Sequence, residues 1–196
     1  MKEFASVKDR ILDRALYTIG KKGSMDVTVR DIAKEANVNV AALNYYFGPK
    51  ANMIKEMEEL FISNYNDTYE ALYDDNLTSE EKISKMLNEI LLYTLRYPGI
   101  TVVVNEKVID EKSEIGKCIK KNLYKNSLII RKLIKEISEC SDEQAMFYEM
   151  ILLSSVVFPA LSNNFKQEGN QINFEDNIDR QKYINHLIMI IKGDKL

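Results

Sequence analysis

Two short apolar helical periods separated by three residues constrain this chain more than anything else in it. From Thr28 the sequence reads TVRDIAKEANVNVAALNYYFGPK. Val29, Ile32, Ala33 and Ala36 recur at helical spacing, and Thr28 with Asp31 three residues on forms a capping-box pattern at the helix start. Asn37, Val38 and Asn39 follow, and asparagine tolerates the left-handed backbone often needed just past a helix end. A second helix is expected from about Val40 to Phe47. Upstream, Val7, Ile11, Ala15 and Ile19 give one buried stripe on a helix from about Phe4 to Lys21, with Gly23 just past its end. Two short helices on so tight a turn are a helix-turn-helix candidate.

The rest of the chain also reads as helix. Glycines and prolines are few, at seven and three, and no period-2 apolar run framed by turn signals demands a sheet. Val102 to Val104 lean toward β structure, but a buried helical turn explains them equally well. Further helices are expected over Ala51–Tyr73, from Thr78 to before Pro98, over Ile100–Asp110 and Ile115–Ser138, and from Ser141 through MFYEMILLSSVVFPALSNNF. The last runs from about Phe174 to Lys192, after a loop at Lys166–Asn173. The fold class is therefore all-α: a three-helix head over residues 1–50 and a larger helical body over residues 51–196.

On a helical wheel, Leu43 and Phe47 share one side with Val40 near them, and Ala41 and Tyr45 share the other, flanked by Ala42 and Asn44. No acidic residue occurs from Val40 to Lys50. Residues 1–55 hold ten Lys or Arg against six Asp or Glu, whereas the remainder holds seventeen against twenty-four. A basic head on an acidic body confines any polyanion contact to the head. The outer face suits a DNA major groove. Alanines allow close approach, asparagine can bond a base edge, and tyrosine hydroxyls can donate to phosphate. Lys50, at the next helix start, could hold a phosphate, as could Arg30 and the Thr28 cap at the start of the second helix. By pattern alone, a plain core helix fits the segment as an alternative.

The segment ILDRALYTIGKKGSMDVTVRDIAKEANVNVAALNYYFGPKANMIKEM closely resembles the N-terminal DNA-binding region of the TetR-type (tetracycline-repressor-like) regulators. The resemblance covers about residues 8–57 without insertions. It includes Thr28 to Ala33, the Val38 turn, Leu43, Tyr46 and Phe47, and Lys50. Asn37 replaces a glycine common at that turn, and Asn44 stands where many members carry tyrosine, a frequent phosphate contact. The resemblance implies a homodimer on a palindromic operator in double-stranded DNA, a repressor released by a small-molecule effector. Thr28, Arg30, Asn39, Val40, Ala41, Ala42, Asn44, Tyr45, Tyr46 and Lys50 would form the DNA-binding surface. Effector binding would shift the helix that begins after Lys50.

For the body, the resemblance implies an all-helical regulatory domain that dimerises through its last two long helices and encloses a small-molecule pocket. Met146, Leu153, Val157, Ile184, Leu187, Ile188 and Ile191 are the interface candidates, with the protomer core as the alternative. Met86, Tyr93, Tyr97, Tyr124, Met150 and Phe158 could rim a cavity for an apolar or aromatic compound, or could be plain core. Catalysis is not expected: His186 is the only histidine, and no H-E-x-x-H, P-loop or G-x-G-x-x-G occurs. No metal or cofactor is expected. No apolar run reaches the ~18 residues of a membrane span, and Cys118 and Cys140 suggest reduced thiols in a cytoplasmic protein. A helical scaffold that binds ligand but no operator is the competing reading.

Overall fold

Side-chain caps decide where the helices begin. Ser6 accepts from the Asp9 N–H at 3.1 Å and opens helix α1, Val7–Lys22. Thr28 and Asp31 exchange both bonds of a capping box at the start of α2, Val29–Glu35. Asn39 caps α3, Val40–Phe47, and α4 runs Lys50–Thr68. The boxes at Thr78–Glu81 and Ser141–Gln144 open α5, Ser79–Arg96, and α7, Asp142–Leu161. Between them lies α6, Glu114–Ser138, and α8 follows at Asn177–Lys192. Each cap supplies an acceptor to N–H groups that the helix itself leaves without one.

This computed structural model describes residues 6–97, 114–161 and 172–193, and among them every regular element is helical. The helix expected over Ile100–Asp110, Val102 to Val104 with it, lies outside the described residues, as does most of the Lys166–Asn173 loop. Two boundaries differ from the sequence reading. Instead of one helix to Tyr73, α4 ends at Thr68 and a 3-10 turn spans Glu70–Tyr73. Tyr69 and Leu72 are both buried, and the i→i+3 bond from the Leu72 N–H to the Tyr69 carbonyl, at 3.1 Å, brings side chains three apart into line in the 3-10 turn. At the last helix, Asp176 takes the Ile178 and Asp179 N–H groups, so α8 starts three residues later than Phe174.

The chain divides into two compact units, residues 1–65 with 96–119 and residues 66–95 with 120–196. The first is centred on Ile11, Leu12, Ala15, Leu16 and Ile19 of α1, with Ile32, Leu43, Phe47, Met53 and Met57 also buried. Val7 is exposed instead of continuing the α1 stripe, because it is the first helical residue, next to the cap. Asp13 is also buried here, at 2% exposure. Its Oδ2 accepts from Arg14 Nε at 3.0 Å and Nη2 at 2.7 Å, and its Oδ1 accepts from the Arg96 guanidinium and the Tyr97 hydroxyl. A carboxylate can remain charged away from water only with such partners.

The second unit buries Ile83, Met86, Leu87 and Leu91 of α5 and Ile130 and Ile134 of α6. Leu152 and Val156 of α7 are buried in it too, as are Ile184, Leu187, Ile188 and Ile191 of α8. Each fully buried Ile or Leu side chain contributes roughly 1.5–3 kcal/mol by leaving water. Polar pins set the register. Glu149 accepts from Ser127 at 2.9 Å and Arg131 at 2.6 Å, tying α7 to α6. Arg180 donates to Asn88 Oδ1 at 3.2 Å and to the Phe174 and Glu175 carbonyls at 2.9 Å each, tying α8 and its entry turn to α5.

Candidate nucleic-acid interface

The turn between α2 and α3 is built from backbone groups that two asparagines make possible. Val38 N–H donates to the Ala33 carbonyl at 3.0 Å and Asn37 N–H to that of Lys34 at 3.2 Å. Asn37 sits at φ 52°, the left-handed conformation expected of it. Asn39 then turns its Oδ1 back to accept the Ala42 N–H at 2.8 Å. At the far end of α3, Gly48 adopts φ 65° and ψ −125°, a conformation essentially restricted to glycine, while its N–H donates to the Asn44 carbonyl at 2.9 Å. Asn52 Nδ2 closes the junction on the Phe47 carbonyl at 3.3 Å. Ahead of the turn, the Thr28 hydroxyl and then its N–H hold the Asp31 carboxyl below the usual carboxylate range.

Leu43 and Phe47 are the buried residues of α3, so the helix is anchored on one side and open on the other. Ala41, Asn44, Tyr45 and Tyr46 are exposed, Tyr45 most of all at 83%. The Tyr45 and Tyr46 rings meet edge to face with centroids 5.2 Å apart, which stiffens Tyr45 without covering it. Thr28, Arg30, Asn39, Val40 and Lys50 are likewise exposed, and Ala42 is half-buried. Nine of the ten expected contact residues are therefore exposed, on α2 and α3, their N-caps Thr28 and Asn39, and the first residue of α4. Downstream of this face, Glu56 is paired with Lys8 at 2.7 Å, and the Lys8 ammonium lies 5.5 Å from the Phe47 ring centroid.

Residues 11–57 match the sequence profile of the bacterial regulatory proteins of the tetR family. The head is thus similar to the DNA-binding region of that family. A probable HTH-type transcriptional regulator, YttP of Bacillus subtilis, is 29% identical over 133 residues, covering 67% of this chain and 64% of that protein. The HTH-type regulator BetI of Agrobacterium fabrum is 48% identical over 46 residues, 24% of this chain and 22% of that one. The chain thus spans less than two thirds of either relative's length. The TetR-family regulator PfmR of Thermus thermophilus superposes with a TM-score of 0.64 at 16% identity, over 98% of this chain and 100% of that one. The ketosteroid regulator KstR2 of Mycobacterium tuberculosis gives 0.67 at 14% identity over 97% and 95%. At such identities the superpositions establish a TetR-like fold.

The body candidates fall in several environments. Of the seven interface candidates, Ile184, Leu187, Ile188 and Ile191 are buried within the chain itself, and Met146, Leu153 and Val157 are half-buried. The exposed apolar residues of α7 are Phe147, Met150, Ile151 and Phe158, with Ile178, Met189 and Ile190 on α8. The six cavity candidates do not converge. Met86 is core, Tyr97 is committed to Asp13 in the first unit, and Tyr124, Met150 and Phe158 face solvent. Tyr93 is half-buried. Phe158 alone of the six lines a cavity in the second unit, of about 460 Å³, with Ser154, Ser155, Pro159, Ile172, Phe174 and Tyr183. Tyr183 closes one side of it, its hydroxyl on the Ser155 carbonyl at 2.8 Å and its ring 5.2 Å from that of Phe174. No helix among the described residues is long and apolar enough to cross a membrane.

Proposed function

We propose that this chain is a transcription regulator that binds double-stranded DNA through its head, residues 1–50, and is controlled through its body, residues 51–196. The observation that carries the reading is the exposed, acid-free face of α3 on a helix anchored by Leu43 and Phe47. That face offers small, amide and phenol groups to a groove, with Arg30 and Lys50 exposed at the neighbouring helix starts. It acts as a homodimer, because one such helix spans too few base pairs for specific affinity and a two-fold pair reads a palindrome. The exposed apolar set Phe147, Met150, Ile151 and Phe158 supports α7 as the partner face. The protein is a repressor, released by a small apolar or aromatic effector that binds one conformation better than the other. The cavity beside Phe158 and Tyr183 has the size and the largely apolar lining of a site for such a compound.

The test is a gel shift with DNA flanking the protein's own gene at two salt concentrations. Sequence-selective binding that falls steeply with salt is expected. Salt-insensitive absence of binding would overturn the reading in favour of a helical scaffold. Light scattering at micromolar concentration should give the mass of two protomers, and Met150→Asp should return it to one.

A further inference from the structure

The polar side chains of the head divide into those committed to the fold and those left over. Thr28 and Asp31 bond each other, Asn39 Oδ1 holds the Ala42 N–H, Asn52 holds the Phe47 carbonyl, and Lys8 pairs with Glu56. Arg30, Asn44, Tyr45 and Lys50 are exposed and make no hydrogen bond or ion pair within the described residues. Arg30 and Lys50 can only donate, which is what a phosphate oxygen requires. Asn44 differs from them. Its carboxamide presents a donor and an acceptor side by side, a pair that a phosphate can only half use and that adenine N7 and N6 match completely.

Reach separates Asn44 from Tyr45 in the same direction. Ala41 lies one helical turn before both and is itself exposed, so no bulky side chain holds the α3 backbone away at that point. A short carboxamide can meet a groove floor only where the backbone comes that close. Tyr45 is long, 83% exposed, and stiffened by its edge contact with Tyr46. Its phenol hydroxyl can donate to a phosphate oxygen of the groove wall, a contact that carries no sequence information.

We infer that Asn44 reads sequence, by a two-bond contact to the adenine of one A·T pair in each half-site, while Tyr45 and Lys50 bind the backbone irrespective of sequence. This rests on the DNA-binding reading above. The experiment is selection from a randomised duplex library with the full-length chain, comparing the parent, Asn44→Ala, Asn44→Asp and Lys50→Ala, followed by salt titration on the selected site. Asn44→Ala should lose about 5- to 150-fold discrimination at one A·T position per half-site and keep the parent's preferences elsewhere and its salt slope. Asn44→Asp, acceptor only, should move the preference at that same position to cytosine, whose N4 amino group donates. Lys50→Ala should weaken all sequences alike and reduce the salt slope by about 1. If Asn44→Ala selects the same site with the same preference at every position, or weakens every sequence equally, the assignment is wrong while the regulator reading stands. If the parent itself selects no sequence, both fall. Because Asn44 is exposed and holds no partner through its side chain, helical circular dichroism of its variants should match the parent.

Discussion

Replacing Asp13 with asparagine tests whether a buried charge cluster holds the first unit together. Asparagine keeps the shape and the Oδ1 acceptor, so Arg96 and Tyr97 retain a partner, but it turns an amino group toward the Arg14 guanidinium. Two charge-assisted hydrogen bonds, at 3.0 and 2.7 Å, are lost and the remaining ones become neutral-acceptor bonds. Removing one partner of a buried pair costs roughly 3–5 kcal/mol. The Arg14 and Arg96 side chains are 31% and 21% exposed, so water can replace part of what they lose. A loss of about 2–3 kcal/mol is therefore expected, against about 1.5 times that for Asp13→Ala, which strands all three donors. For a chain of this size that is a fall in Tm of about 4–12 °C. Urea titration followed by circular dichroism should show a lower midpoint at unchanged slope. Asp26→Asn, at an exposed carboxylate whose side chain caps nothing, is the control and should stay within about 0.5 kcal/mol. In a double-mutant cycle, Asp13→Asn and Tyr97→Phe should couple by about 0.5–3 kcal/mol. A loss below about 0.5 kcal/mol for Asp13→Asn, or strict additivity with Tyr97→Phe, would refute the cluster as a stabilising unit.

The same site predicts an alkaline limit. Burial first, and then the Asp13 carboxylate, raises the Tyr97 hydroxyl above its usual value near ~10. The folded state therefore holds this proton after the unfolded state has released it, and stability should decline as pH rises past about 10, a decline that Tyr97→Phe reduces when midpoints are compared across pH. Asn39→Ala removes the α3 cap and should cost about 1 kcal/mol in thermal or urea unfolding while weakening DNA binding through a frayed helix start. Asn37→Val places a β-branched residue at φ 52° and should destabilise by about 1–2 kcal/mol, whereas Asn37→Gly should change stability by only a few tenths. If calorimetry finds valine and glycine equal there, the turn is not held in the left-handed conformation.

What was legible in the sequence was mostly local. The Thr28–Asp31, Thr78–Glu81 and Ser141–Gln144 boxes, the left-handed Asn37 and the Gly23 cap each depend on residues within a turn of one another, and the structure has them all. The inward side of α3 was legible for the same reason: Leu43 and Phe47 are its only large apolar pair four apart, so one face had to be theirs. The exposure of Asn44 and Tyr45 follows from that choice.

On α7 and α8 the same reasoning could not choose a side. α7 carries apolar residues around most of its circumference, Ala145, Leu152 and Val156 on one face and Phe147, Met150 and Phe158 on another, so periodicity names two stripes and ranks neither. The core took the first, and α8 turned Ile184, Leu187, Ile188 and Ile191 inward to meet it, so residues expected at a partner face became interior. Asp13 is the sharper case. Its partners Arg96 and Tyr97 lie 83 and 84 positions away, and nothing near Asp13 in the chain marks it as buried instead of solvated. Composition and spacing determine which groups a helix carries and where it starts. Which way it rotates, and which distant charge it meets, is decided by packing all the helices at once, because a core filled by one stripe leaves the other to the surface.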